Sequence, residues 1–305
     1  MNIHDSIFET IEAHNLISTQ DRLLVAVSGG IDSTVICHVL QDLGYQFDIA
    51  HVNFKLRGQA SIHDFQFVEK LAQWFRCEFH ATQVETKSYA RDNKLTTQEA
   101  ARIIRYDYFQ KLVSEQHYDK VITAHHAGDN METMLYNFIK GGTLSALRGI
   151  PLRRDYIIRP MLHTSKELIV QFAQHRQLSF CNDASNEDSK YSRNYIRKEI
   201  IPKLLILNPS LESTLNRTSH MGAGYESLIE QQIEAFKTNH VLQSENRLEV
   251  SLEELKSYAS PLIILYHLAK SYGFSYINVE DIWTRYLNGN GTGKFFKNDQ
   301  CRAVI

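Results

Sequence analysis

The chain has 305 residues, 43 % hydrophobic and 22 % charged, with a formal net charge of −2. That balance suits a globular protein of one large or two moderate domains and excludes a uniformly basic surface, so any nucleic-acid contact must be a local patch. The four cysteines (Cys37, Cys77, Cys181, Cys301) form no C-x-x-C pair, which excludes a zinc ribbon or cysteine-rich cluster site. No apolar run approaches membrane-spanning length and the first residues carry no basic and apolar leader, so the expected compartment is the reducing cytoplasm.

In chain order, residues 5–16 read as a helix with Ile7, Phe8 and Ile11 on one face. Leu23-Leu24-Val25-Ala26-Val27 is an apolar run of the kind found in buried parallel strands, followed by Ser28-Gly29-Gly30-Ile31-Asp32-Ser33 and then Val35, Ile36, Val39 and Leu40 at helical spacing. Further strands are expected at 47–52, 77–82 and 121–124, and helices at 59–75, 97–117 and 129–139. Strands alternating with helices predict a doubly wound, mainly parallel α/β sheet. Ligands of such sheets bind beyond the carboxyl ends of the strands, which puts Ser28–Ser33, His51–Asn53 and His125–Asp129 on one rim. After Gly141-Gly142 come short strand and turn to Arg159-Pro160, a helix at 165–176, a polar loop at 182–188 and a basic run at 190–203. The Leu207-Asn208-Pro209-Ser210 break predicts domains at 1–209 and 210–305, the second smaller and mainly helical, with a short β pair at its end.

The glycine turn is where chemistry begins. Strand, tight turn and helix aim backbone N–H groups at an anion, and the glycines allow close approach and positive φ. Ser28 and Ser33 add hydroxyls. Asp32 beside a bound polyphosphate needs an intervening cation, and reads as a magnesium ligand; a plain capped turn explains the full pattern poorly. His51-Val52-Asn53-Phe54-Lys55-Leu56-Arg57-Gly58 leaves the second strand tip, where Lys55 and Arg57 can reach a nucleotide or RNA backbone or line a solvated loop. Arg102 and Arg105 share a helix face, suited to charge on an α-phosphate, although Glu99 stands ready to pair Arg102 on the surface. In Thr123–Thr133 the adjacent His125 and His126 point to opposite sides of an extended chain, while Asp129 and Glu132 share a helix face, as site carboxylates or as ordinary helix-start charges. Arg193 and Arg197, four apart with Tyr191 and Tyr195 between and beside them, form a solvated basic face or an RNA contact.

SGGIDS (28–33), HVNFKLRG (51–58), EAARIIRY (99–106), TAHHAGDNMET (123–133) and DASNEDSKYSRNYIR (183–197), in this order, resemble the tRNA(Ile)-lysidine synthetases, a family within the PP-loop (N-type ATP pyrophosphatase) superfamily. The resemblance covers residues 20 to about 205. It implies an adenine nucleotide α-hydrolase-like fold and a C–N bond-forming ligase. ATP adenylates the C2 oxygen of the wobble cytidine of tRNA(Ile) with a CAU anticodon, and free L-lysine then displaces AMP to give lysidine. It further implies ATP bound by Ser28, Gly29, Gly30, Ile31, Asp32 and Ser33, Mg2+ held by Asp32 and Asp129, and catalysis by Arg105, His125 and Asp129. Lysine then falls to Glu132, and tRNA to Lys55, Arg57, Arg193, Asn194 and Arg197. The expected partners are that tRNA and free lysine, with no membrane, and a homodimer is left open. Two positions depart from the family pattern: Gly128 stands where an acid is usual, and Phe54 where histidine is common. The competing readings are another PP-loop tRNA-modifying enzyme, such as a thiolase, and a non-catalytic nucleotide-dependent RNA-binding protein.

Overall fold

The computed structural model describes residues 2–142, 144–181, 192–244, 247–289, 293, 295–298 and 301–304. Within the fifth motif, Asp183–Tyr191 lies outside the described residues. Residues 1–223 and 224–305 form two compact units.

The first unit begins with α1 (Ile3–Ala13), capped by Asn2, and then β1 (Leu23–Ala26), α2 (Ile31–Asp42), β2 (Phe47–Asn53), α3 (Gln59–Phe75) and β3 (Phe79–Gln83). It continues with α4 (Thr86–Asp92), α5 (Thr97–Gln116), β4 (Lys120–Ile122), α6 (Ala127–Ile139), α7 (Leu144–Arg148), β5 (Arg153–Arg154), β6 (Ile157–Ile158) and α8 (Lys166–His175). The six strands run in the order β3-β2-β1-β4-β6-β5, parallel except for β5, which pairs antiparallel with β6 at the edge. This is the mainly parallel α/β sheet expected. β3 starts two residues later than the sequence suggested, the short strand and turn expected before Arg159-Pro160 is the β5–β6 hairpin, and α4 was not foreseen.

Side-chain alternation along the strands explains why both faces are covered. Leu23 and Val25 of β1, Ile49 of β2, Ile122 of β4 and Ile158 of β6 join Ile7 and Ile11 of α1, Ile36 and Leu40 of α2, Val68 of α3 and Ile169 of α8 in one core. The intervening Leu24, Ala50, Val121 and Ile157 face the other way, against Phe109 and Leu112 of α5. Burying one of these side chains contributes about 1.5–3 kcal/mol.

Beyond the sheet, α9 (Ser192–Tyr195) runs into a π-helical turn at Ile196–Ile200 and then α10 (Ile201–Leu207). Ile196 and Ile201 pack with Met131 of α6, which seats this basic segment on the helix that carries Asp129 and Glu132. The long α11 (Leu211–His240) follows, and the division between units falls within it, after Ala223. The second unit contains the hairpin β7–β8 (Val241–Ser244, Arg247–Val250), α12 (Leu252–Leu255), α13 (Pro261–Ala269), α14 (Tyr276–Leu287) and the antiparallel pair β9–β10 (Phe295–Lys297, Arg302–Val304). Its core gathers Phe236, Leu255, Ile264, Leu268, Val279 and Ile282. Among the described residues, no helix is long and apolar enough to cross a membrane.

Candidate active site at the strand tips

The loop between β1 and α2 is held by its own hydroxyls. Ser33 Oγ donates to Gly30 O (3.0 Å) and accepts from Ser28 N (3.2 Å), and Gly30 N donates to Ser28 Oγ (3.3 Å). Only Gly29 takes a positive φ (+95°); Gly30 is extended, at −72°. The requirement for glycine conformation therefore falls on Gly29, and Gly30 instead caps α2 without any side-chain hydrogen bond. That leaves the amides of the first turn as donors for an anion, with the helix dipole behind them. His51, buried on β2, donates from Nδ1 to Val27 O (2.8 Å) and ties the second strand tip to the start of the loop. Burial lowers its pKa, so it stays neutral.

Asp32 is ion-paired to Lys166, the first residue of α8. A lysine at a helix N-terminus opposes the helix dipole, and this broken rule was the available signal for a residue that the sequence reading did not single out.

Arg102 and Arg105, in the N-terminal half of α5, gather with His125 and Arg159, which follow β4 and β6. Arg105 lies over the Phe54 ring, 5.3 Å from its centroid, and has no carboxylate partner among the described residues. Surrounding protein pushes its pKa down while the side chain stays accessible, as in a concave site. The Glu99–Arg102 pair does not form: Glu99 caps α5 through Thr96, and Arg102 stacks on Tyr106 at 4.8 Å. Arg159 was also missed. It is 3 % exposed, donates to Pro151 O (2.7 Å), and bonds the Tyr106 side chain. Burial, and then Arg159, Arg105 and Arg102, push the His125 pKa down to about 4 against the pull of Asp129. His125 is thus a neutral imidazole at pH 7, with Nδ1 3.0 Å from Thr123 Oγ1.

His126 turns the other way and caps α6. Its Nδ1 accepts from Gly128 N (3.0 Å), and its own N–H donates to Asp129 Oδ2 (3.0 Å). This accounts for Gly128: a Cβ there would stand 2.8 Å from His126 Cε1. Gly128→Ala should expel the imidazole from the cap and cost about 0.5–2 kcal/mol, read as a lower urea midpoint at unchanged m-value. A midpoint equal to wild type would refute the steric account.

Asp129 and Glu132 share the α6 face and meet Arg197. The guanidinium makes a paired contact with Glu132, by Nε to Oε1 and by Nη2 to Oε2 (3.0 Å), and reaches Asp129 Oδ1 at 3.4 Å. Burial opposes the Arg197 charge, yet Glu132, Asp129 and Asp32 together raise its pKa: two carboxylates contact the guanidinium and Asp32 acts on it from a distance. Burial raises the Glu132 pKa, with Arg197 pulling against it. The π turn sets this geometry, because an i→i+5 turn rotates Arg197 away from the i,i+4 register with Arg193. Arg193 instead lies over Tyr136, 5.6 Å from the ring centroid. Of the other expected RNA contacts, Lys55 pairs with Glu85 (3.0 Å) and Arg57 with Asp64 (2.5 Å), while Asn194 follows Arg193 in α9.

Two histidines make the fold acid-sensitive. Burial depresses His163 to about 4, beside His14 and His220, as it does His125. A folded-state pKa below the usual 6.5 gives stability that is present above pH 6.5 and lost as pH falls towards 4. The free energy of unfolding should therefore drop across this window, by about 1.4 kcal/mol per pH unit for each proton. Urea titrations of wild type and His163→Gln should show the smaller drop in the variant; equal drops would exclude His163.

The uncapped glycine turn between strand and helix on a parallel sheet suits a nucleotide phosphate, and residues 3–204 match the PP-loop domain family. Residues 243–305 match the TilS substrate binding domain. The chain is 36 % identical over 288 residues to tRNA(Ile)-lysidine synthase of Porphyromonas gingivalis W83, covering 94 % of this chain and 63 % of that one. Against the Bacteroides thetaiotaomicron tRNA(Ile)-lysidine synthase the identity is 33 % over 302 residues, covering 99 % and 70 %. The chain belongs to the tRNA(Ile)-lysidine synthase family, and it spans about two thirds of the length of these relatives. Among solved structures, the U34-tRNA thiolase NcsA from Methanococcus maripaludis is similar in fold, with a TM-score of 0.56 and 17 % identity over 75 % of this chain and 78 % of that one.

Proposed function

We propose that this chain ligates free L-lysine to C2 of the wobble cytidine of tRNA(Ile) with a CAU anticodon, forming lysidine and releasing AMP and pyrophosphate. The observation that carries the reading is the carboxylate set around Arg197. Asp129 and Glu132 hold a nitrogen cation at the α6 start, and Asp32 of the phosphate loop acts on the same charge. An ammonium held there stands beside a bound triphosphate, as ligation of an amine to an adenylated base requires.

ATP lies with its phosphates on the amides of Ser28–Ser33, and Arg105 stabilises negative charge as the C2 oxygen attacks the α-phosphate. Lysine must attack unprotonated, which costs about 4–5 kcal/mol at pH 7 from a reference pKa near 10.4. Neutral His125, with its pKa pushed down to about 4, is too weak a base to take that proton, contrary to the sequence expectation; with Nδ1 donating to Thr123 Oγ1, its Nε2 can accept a hydrogen bond that orients the amine while the proton leaves to solvent. Glu132 takes the lysine ammonium in place of Arg197, which must first withdraw.

Asp32 and Asp129 offer the hard oxygen donors that Mg2+ requires, and each is already a cation site, for Lys166 and Arg197. When bound there, Mg2+ neutralises charge on the polyphosphate. Arg193, Asn194, Lys55 and Arg57 are candidates for tRNA contact, and the second unit supplies further grip. The proposed setting is the cytoplasm.

Labelled lysine supplied with ATP and tRNA(Ile) bearing a CAU anticodon should enter that tRNA and leave methionine tRNA unlabelled. Equal labelling of both, or of neither, would defeat the reading. An inert RNA-binding protein would also fail to exchange pyrophosphate with ATP.

A further inference from the structure

On the flank of the first unit, α5 and the β5–β6 hairpin enclose a cleft of about 360 Å3. Arg102, Tyr106 and Gln110 line it from successive turns of α5, and Arg154 and Tyr156 line it from the hairpin. Both tyrosines are partly accessible. Neither Arg102 nor Arg154 makes an ion pair among the described residues, and Arg154 is exposed. The cleft adjoins the candidate active site. Arg102 acts on both His125 and Arg159, and Arg159 bonds the Tyr106 side chain that forms the cleft wall.

The wall also carries Asp107 and Asp155. Two arginines balanced by two aspartates suit no polyphosphate. They suit an unpaired nucleotide: aromatic rings and a guanidinium plane to stack a base, an arginine for its phosphate, and carboxylate and amide groups to meet an exocyclic amine. The volume is at the lower end of the range for small-ligand sites, where one nucleoside fits.

We propose that this cleft binds a single unpaired RNA nucleotide next to the modified one, with its base against Tyr156 and Tyr106 and its phosphate on Arg154. This rests on the reading of the chain as a tRNA-modifying enzyme and adds a place where the anticodon loop is held and its neighbouring base read. Arg102 then links the two positions, one helical turn from the edge of the cleft to Arg105.

The test measures binding of the tRNA(Ile) transcript to the 305-residue chain between 50 and 200 mM salt, by fluorescence anisotropy. Arg154→Glu, a change at an exposed side chain, should weaken binding about tenfold and lower the salt slope by about one. Tyr156→Leu should weaken it by about 5- to 100-fold, and Tyr156→Phe should restore it, because stacking needs the ring and not the hydroxyl. Pyrophosphate exchange at saturating tRNA should stay at the wild-type rate in all three. Binding within twofold of wild type for both Arg154→Glu and Tyr156→Leu, with an unchanged salt slope, would overturn the proposal. If the wild-type chain incorporates no lysine, the ligation reading fails, while the binding comparison still decides the cleft.

Discussion

Arg105→Ala should lower tRNA-dependent ATP–pyrophosphate exchange by about 100- to 1,000-fold, the loss expected when one preorganised charge donor is removed from a developing oxyanion. The guanidinium is prepared for this. No carboxylate among the described residues neutralises it, and it lies against the face of Phe54. Arg159 and Arg102 lie close enough to act on the same imidazole, so the region around His125 is strongly positive with Asp129 as counterweight. An anion entering there is stabilised without any rearrangement of the donor. Arg105→Lys should keep the charge and lose the fork, recovering only part of the rate. Nucleotide affinity should change little in either variant, because Arg105 is not part of the proposed polyphosphate loop, Ser28–Ser33. Pyrophosphate exchange within a few-fold of wild type in Arg105→Ala would end its assignment to transition-state charge.

The strand–turn–helix of residues 23–40 was legible because each local signal agrees: an apolar strand, a glycine turn and a 3.6-residue period. Placing Ser28–Ser33, His51–Asn53 and His125–Asp129 on one rim needed only the rule that parallel strands deliver their ligands at their carboxyl ends. The partners of the charged groups were another matter. Lys166 meets Asp32 across 134 residues, and Arg197 meets Glu132 across 65. No spacing rule reaches that far, and the π turn at Ile196–Ile200 defeats the helical spacing that links Arg193 to Arg197. Where two local rules compete, the backbone bond wins: Glu99 satisfies the amide of Thr96 and leaves Arg102 for Tyr106. Phe54, a departure from the family pattern, finds its contact in Arg105, and Gly128 finds its reason in the His126 cap. Both explanations depend on side chains brought together by the packing of separate elements.

Glu132→Gln should separate the two halves of the reaction. The side chain is 9 % exposed, sits in the first turns of α6, and accepts two hydrogen bonds from one guanidinium. Glutamine keeps the shape and one acceptor and removes the charge. A hydrogen bond to a charged group is worth about 1.5–3 kcal/mol, so the lysine KM should rise roughly 10- to 100-fold. Pyrophosphate exchange, which precedes lysine, should hold near the wild-type rate, because Arg105 and the phosphate loop are untouched. Glutamine also leaves Arg197 with Asp129 as its remaining anionic contact on α6 (3.4 Å), so the arginine is held less firmly while the incoming ammonium loses its strongest partner. The two effects oppose each other in the lysine KM, and the direct loss dominates, because Arg197 keeps Asp129 as an anionic partner while the proposed ammonium site loses one of its charges. An unchanged lysine KM, or a loss of pyrophosphate exchange as large as the loss of ligation, would remove Glu132 from the lysine site and return it to a purely structural pairing with Arg197.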